Sequence, residues 1–493
     1  MNYYYILFIT IIFYYLNNAA AKNTPYKIKH IKRETGWSQV KVRENADLHL
    51  SLLSQGLYNS ELANKYDTNF YYPESAGKDI DIVIIDTGFN FEHSEFSNKK
   101  ERILKCAIRI VDGEYVKPPS ESKCSTTNPI LVRHNYYHGE YVSDAAAGLI
   151  HGVASKANVY GVAFNAVNYK NAMAGLKYVR DNLIRPHKTV LNLSFGNYYH
   201  IQEDVKVKMD IINEMKSVVT EIIEKGAIVV AAGGNEGINS YHEENNQQSL
   251  PCSVEGVICV GAIDTVGANK FMKWTVPEGD MVTKEMNTTN YRKVWWSNYG
   301  KVVDIYGPGY IHVEFKDKDD QDIDKVVYGT SFTAPVISGV IATIMSENPH
   351  IEFTSSTMWN HLKKISQKNV IKGIPDKDYP NFFINNGKHV VYSGDNIYHG
   401  CGIQAGNKGC GHDKCCSLDG KCTRDRTLCK TSHGCQSQGS LRGCEIVRSP
   451  VPEKCGYGYG SCPHGYCCSG DGRCGKSFEY CGTGCQPNYG PCH

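Results

Sequence analysis

Sixteen of the 20 cysteines lie between Cys401 and Cys492, leaving only Cys106, Cys124, Cys252 and Cys259 for the rest of the chain. Segments this short and this rich in Cys and Gly cannot bury enough apolar surface to hold themselves, so cross-links must supply the difference. Such density implies a disulfide framework made in an oxidising compartment. Before Gly400 the regime is different. Apolar periodicity runs through it, and over the whole chain a hydrophobic content of 41% against 21% charged residues suits a globular body with a substantial core. The net charge of +2 gives no electrostatic reason to expect nucleic acid or an anionic membrane as partner. The charge runs Lys99 to Arg102 and Lys316 to Asp324 read as solvated loops.

The N-terminus fits the same compartment. Tyr3 to Leu16 is an almost unbroken apolar and aromatic run, followed by Ala19-Ala20-Ala21. Small residues after a run too short to span a bilayer comfortably describe a signal peptide over residues 1–21, against the competing reading of an anchor. The expected location is therefore extracellular or cell-wall associated, with no membrane after signal removal and a monomeric chain.

Short β-branched runs recur at Ile82 to Ile85, Val159 to Phe164, Val190 to Ser194, Ile228 to Ala231, Val257 to Val260 and Val302 to Tyr306. Continuous apolar runs of this length belong to strands covered on both faces. Helical spacing lies between them, at Met173 to Asn182 and Val205 to Lys225. The alternation predicts an α/β fold with a doubly wound, mostly parallel sheet, followed by two small disulfide-rich modules. Ligands in such sheets bind at the carboxyl ends of the strands.

Three strand or loop ends carry reactive side chains. Ile82 to Ile85 runs into Asp86-Thr87-Gly88, His138-Gly139 opens a helical stretch, and Gly329-Thr330-Ser331 enters another. Separately they read as a turn aspartate, a structural histidine and an N-cap serine. Together they are what nucleophilic catalysis needs: a hydroxyl, a base to take its proton and a carboxylate to orient the base. A fourth element, Val229 to Gly237, ends a buried strand in glycines and presents the Asn235 amide, a donor suited to a developing oxyanion.

Asp86-Thr87-Gly88, His138-Gly139, Asn235 within A-A-G-G-N-E-G, and G-T-S-F-T-A-P around Ser331 resemble the four signatures of the subtilase family. Gly152-Val153-Ala154, 14 residues after His138, is similar to the proteinase K branch. The resemblance implies a serine endopeptidase hydrolysing polypeptide through a Ser-His-Asp triad and an acyl-enzyme. Ser331 would be the nucleophile, His138 the base and Asp86 its orienter. Asn235 and the Ser331 backbone N–H would form the oxyanion hole, while Ser194, Phe195, Gly196, Ala231, Ala232 and Gly233 would line the substrate cleft. No cofactor is required for this chemistry and no metal site is read from the sequence. The short path after His138 lacks the loop that binds calcium in bacterial subtilisins, and structural calcium elsewhere is left undecided.

The family pattern H-G-T-H-V-A-G becomes His138-Gly139-Glu140-Tyr141-Val142-Ser143-Asp144 here. This departure supports a competing expectation: a weak or inactive subtilase-fold protein that binds carbohydrate or cell wall. Insertions fall between Asp86 and His138 and between Thr265 and Trp295, the latter with the sequon Asn287-Thr288-Thr289. Residues 22–46 form a propeptide-like segment shorter than the family's inhibitory prodomain, ahead of a catalytic domain at 47–392.

Residues 399–444 and 454–493, joined by a linker at 445–453, share one cysteine rhythm. Eight cysteines allow 105 pairings, which spacing cannot resolve. Both blocks resemble hevein-like (type 1) chitin-binding modules. That resemblance implies Cys401–Cys416, Cys410–Cys422, Cys415–Cys429 and Cys435–Cys444 in the first. In the second it implies Cys455–Cys468, Cys462–Cys474, Cys467–Cys481 and Cys485–Cys492. It also implies binding of chitin or other N-acetylglucosamine polymers on aromatic faces. The second module keeps Ser469 and Tyr480 for this, with Asp471 and Arg473 at two aromatic positions. The first keeps Ser417 but has Asp419, Lys421 and Leu428 at all three, so it reads as a stapled spacer. Local pairing of Cys106 with Cys124 and of Cys252 with Cys259 is expected, although the sequence leaves other pairings open.

Overall fold

The computed structural model describes residues 26–56, 67–124, 138–200, 205–242, 247–265, 291–316, 321–393, 396–397, 400–411, 413–436, 443–482 and 485–492. The signal-like run and the sequon at Asn287 fall outside these residues. Among the described residues no helix is long and apolar enough to cross a membrane.

The segment read as propeptide-like is built into the body. Helix α1 (Ile28–Thr35) leads to β1 (Val40–Arg43), which pairs antiparallel with β2 (Phe70–Pro73). Ile31, Trp37 and Tyr71 pack together with Tyr392, and the Glu34 carboxylate accepts from the His389 and Val390 N–H groups. This segment therefore covers one side of the domain instead of lying across its cleft.

The central sheet uses β3 (Asp81–Asp86), β4 (Leu104–Val111), β5 (Glu114–Val116), β6 (Asn158–Phe164), β7 (Thr189–Leu193), β8 (Ile228–Ala232), β9 (Ile258–Ile263) and β10 (Ile305–Pro308). Their neighbours run β10-β9-β8-β7-β3-β6-β4-β5. All pair parallel except the edge strand β5, which returns antiparallel on β4. Every residue of β3, β7, β8 and β9 is buried, as continuous apolar runs require of strands covered on both faces. The run expected at Val302 to Tyr306 begins later, because Val303 N–H closes a turn on the Gly300 carbonyl.

A hairpin, β11 (Tyr310–Lys316) with β12 (Asp322–Tyr328), leaves the sheet. It takes up both ends of the charge run assigned to a solvated loop, Lys316 and Asp322 to Asp324; residues 317–320 lie outside the described residues. Arg102 is also not solvated: it is 6% exposed, and its guanidinium donates to the Ala147 and Ala157 carbonyls at 2.7 and 3.2 Å.

Helices α2 (His138–Ala147), α3 (Tyr169–Asn182), α4 (Val205–Glu224), α5 (Thr330–Glu347) and α6 (Ser355–Ile365) cover the sheet. The α5 helix is apolar all round and buried from Phe332 to Met345, as a helix through the middle of a domain must be. At Gly339 it crosses α2 so closely that a Cβ would sit 2.7 Å from the Ala146 carbonyl.

Ten disulfides close: Cys106–Cys124, Cys252–Cys259, and the four pairs of each tail module named above. Each module folds around a two-stranded hairpin, Cys415–Cys416 with Cys422–Thr423 and Cys467–Cys468 with Cys474–Gly475. Half-cystines are the principal buried residues of both cores.

Candidate active site

The carboxyl end of β3 delivers Asp86 to a cleft of about 270 Å³. His138 opens α2 beside it, and Gly139 makes the approach possible: a Cβ there would lie 2.2 Å from the Gly88 carbonyl. The His138 Nδ1 is 2.9 Å from each oxygen of the Asp86 carboxylate, which is 2% exposed. A carboxylate only accepts, so Nδ1 carries the proton and Nε2 keeps its lone pair for the cleft. The Thr87 N–H donates to Asp86 Oδ1 at 2.7 Å and fixes the carboxylate in turn.

Ser331 enters the same cleft from the first turn of α5. Gly329, at φ +136, sets the entry angle, in a region that favours glycine. No hydrogen bond joins Ser331 Oγ to His138 in this structure. Their relation is set by Phe332, whose ring centroid lies 4.9 Å from the imidazole. Catalytic hydrogen bonds of this kind are commonly long without substrate.

A polar thread locks the Ser331 peptide to β7. Pro335 has no N–H to offer the Ser331 carbonyl one helical turn back. Ser194 Oγ donates to that carbonyl instead, at 2.6 Å. Asn192 Nδ2 donates to Ser194 Oγ at 2.9 Å, and Ser338 Oγ donates to Asn192 Oδ1 at 3.1 Å. Asn235 is oriented in a similar way. Its Oδ1 accepts from the Thr330 N–H at 2.8 Å and from Thr330 Oγ1 at 3.0 Å, which leaves the Nδ2 donors to the cleft.

Ser194, Phe195, Gly196 and Ala232 line the cleft with Gly234 and Asn235; Ala231 and Gly233 do not. Ala231 is fully buried within β8. Gly233 spends its N–H on the Val260 carbonyl at 2.9 Å, and its carbonyl accepts from Asn298 Nδ2 at 2.9 Å. The expected wall is thus displaced one residue toward Asn235. Sequence reasoning missed Phe164, Val167 and Ser249 in the lining, because only the third dimension brings them there.

The unusual residues after His138 are absorbed locally. Tyr141 stacks edge-on against Phe315 at 4.5 Å, under the Lys325 ammonium at 4.7 Å. Burial pushes the Glu140 carboxyl up to about 8, only partly offset by Lys123, so below that pH it adds no charge beside His138. Asp144 points away from the cleft and accepts from the Glu314 N–H at 2.8 Å.

In the second module, Asp471 binds Lys363 of α6 at 2.9 Å, and Lys454 binds Asp378 at 2.6 Å. Ser469 is buried and accepts from the Arg473 N–H at 3.1 Å, while the Tyr480 ring covers Gly475. Phe478, not singled out from the sequence, is 78% exposed.

The profile of the Subtilase family (Peptidase_S8) matches residues 77–380, well over half of the chain. The chain belongs to the subtilase family. Among curated proteins it is 27% identical over 310 residues to Subtilisin-like protease 3 of Pseudogymnoascus destructans, covering 61% of each chain. It is 24% identical over 371 residues to the Subtilase-type proteinase RRT12 of Saccharomyces cerevisiae, covering 72% of this chain and 61% of that one. The matches span 54–61% of the length of the first curated relatives. Among solved structures, a cold adapted subtilisin-like serine proteinase aligns with a TM-score of 0.46 and 20% identity, over 69% of this chain and 98% of that one.

Proposed function

We propose that the chain is a secreted serine endopeptidase in which Ser331 attacks the scissile carbonyl and His138, oriented by Asp86, takes and returns the proton. The observation that carries this is the His138 Nδ1 placed 2.9 Å from both Asp86 oxygens in a cleft that also holds Ser331 and Asn235. As the carbonyl becomes tetrahedral, its oxyanion would be met by Asn235 Nδ2 and by the Ser331 N–H, one of the unpaired donors of the first turn of α5. The exposed end of β7 at Phe195 and Gly196 offers a backbone edge to which an extended peptide can add as a strand. Replacement of family residues by Tyr141 and Asp144 favours the inactive reading. Against it stands the packing of both residues away from the Asp86–His138 pair. A biotinylated aryl phosphonate tests the choice: it should label the wild type and leave Ser331→Ala and His138→Ala unlabelled. An unlabelled wild type makes the protein a binding module on a subtilase scaffold.

The ten disulfides support export to an oxidising compartment. For the tail, the second module is proposed as the hevein-like, chitin-binding one, with Tyr480 and the exposed Phe478 as stacking surfaces. The first is a spacer. Retention on chitin beads should fall in a Phe478→Ala/Tyr480→Ala variant, and equal retention of that variant rejects the assignment.

A further inference from the structure

A second cluster of reactive side chains lies behind the catalytic helix and takes no part in the chemistry above. Glu95, in the turn Ser94–Phe96, and Asp144 of α2 converge on His151, which lies just beyond α2. All three are buried, the first two completely. His151 Nδ1 lies 3.4 Å from Glu95 Oε1 and 3.5 Å from Asp144 Oδ2. Glu95 Oε1, Asp144 Oδ1 and His151 Nδ1 have no hydrogen-bond partner. Each orphaned buried group costs on the order of 1–3 kcal/mol, so Glu95 Oε1 and His151 Nδ1, facing one another at 3.4 Å, require explanation.

The remaining atoms of the same side chains are well held. Glu95 Oε2 accepts from the Ile150 N–H at 2.7 Å, and Asp144 Oδ2 accepts from the Glu314 N–H at 2.8 Å. His151 Nε2 faces Asp47 Oδ2 at 3.8 Å. Carboxylates anchored through one oxygen, and an imidazole backed by a carboxylate on its far nitrogen, are how proteins orient metal ligands. A proton on His151 would be an alternative counter-charge, but at 3.4 and 3.5 Å neither carboxylate contact forms a hydrogen bond with Nδ1. Arg102 makes no hydrogen bond to these carboxylates, since its donors go to the carbonyls of Ala147, Ala157 and Glu95 and to Asn98 Oδ1.

We infer that Glu95 and His151, completed by Glu314 and flanked by Asp144, form a structural site for a first-row divalent cation of the Zn²⁺ class. The 3.4 Å between Glu95 Oε1 and His151 Nδ1 matches the edge of a tetrahedron with arms of ~2.0–2.1 Å, roughly 3.4 Å. An imidazole with few oxygens does not suit Ca²⁺, which takes six to eight oxygens at longer range. Glu314 places a carboxylate oxygen within 4.8 Å of donors on Glu95 and His151. Its side chain is 25% exposed, which gives the ion a way in. His93 is an outer neighbour and not a ligand: its Nδ1 accepts from the Glu95 N–H at 3.2 Å, so its proton sits on Nε2, 3.9 Å from Glu314. The ion would join His151, just beyond the helix that carries His138, to β11, whose hairpin runs into Ser331.

The test is the metal content of the full chain, purified without chelator and measured by plasma mass spectrometry, followed by titration of the chelated protein with Zn²⁺ and Co²⁺. One zinc per chain is expected, with visible d–d absorption on cobalt substitution and a fall in Tm on chelation. Glu314→Gln, on the partly exposed hairpin, should weaken zinc at least tenfold and keep the fold, and His151→Ala should abolish binding. No bound zinc together with no cobalt spectrum overturns the site, as does undiminished affinity in both Glu314→Gln and Glu95→Gln. All of these readouts are independent of whether Ser331 reacts.

Discussion

Ser194→Ala tests whether the Ser331 carbonyl needs its substitute donor. The change deletes one hydroxyl, which is 4% exposed. It orphans two buried groups, the Ser331 carbonyl and the Asn192 Nδ2, at 2.6 and 2.9 Å from the lost oxygen. Each orphan costs about 1–3 kcal/mol, and local relaxation leaves a net of roughly 2 kcal/mol. An unfolding entropy of ~2.1 cal/mol/K per residue over a body of ~350 residues gives ~0.7 kcal/mol/K, so Tm should fall by about 3 °C. The freed peptide is the one that carries the nucleophile. If half to all of that energy had held Ser331 in line, kcat/KM should fall roughly five- to thirtyfold, mostly in kcat. Calorimetry and the second-order rate of phosphonate labelling read the two effects separately. Ser194→Thr, which keeps the hydroxyl, should restore both. The reasoning is refuted if Ser194→Ala melts within 1 °C of wild type and labels at the same rate.

Asn235→Asp keeps the acceptor for Thr330 and removes the amide donor; kcat on a peptide substrate should fall ~10²–10³-fold with little change in KM. Glu140→Gln should remove a pH dependence. The Glu140 carboxyl is raised from the usual 4.5 to about 8 by burial, so its contribution is fully present below pH 4.5 and is lost as pH rises through about 8. The stability difference between variant and wild type should therefore grow across pH 4.5–8, to at most ~5 kcal/mol, and chemical denaturation at pH 5 and pH 9 measures it. Mild reductant should unfold the tail modules before the catalytic body, because half-cystines are the principal buried residues of their cores. Mass-resolved alkylation would follow the order.

What could be read from the sequence was what repeats locally. Strands β3, β6, β7 and β8 announce themselves as unbroken apolar runs because both faces are covered, and Asp86, His138, Asn235 and Ser331 sit in short contiguous motifs. Strand β4 was missed because it lies near the sheet edge, and only Cys106 and Ile110 of its eight residues are buried. The hairpin β11–β12 was missed because its charged residues resemble a loop until a partner strand is found. The cluster around His151 was invisible for a different reason. Glu95, His151 and Glu314 come from three separate stretches, each ordinary alone, and only folding brings them together. The displacement of the cleft wall from Gly233 to Gly234 has the same origin, since the sheet's own hydrogen bonding claims Gly233.

The hairpin β11–β12 ends two residues before Thr330, and its inner strand rests on the helix that begins at His138. Ser331 and His138, the attacking group and proton acceptor proposed above, therefore stand on one shared footing at the periphery, outside the central sheet. Warming or mild denaturant that loosens this footing would part the two groups while the sheet stayed intact. Loss of turnover should then run several degrees ahead of the loss of ellipticity, as a reversible, silent native form.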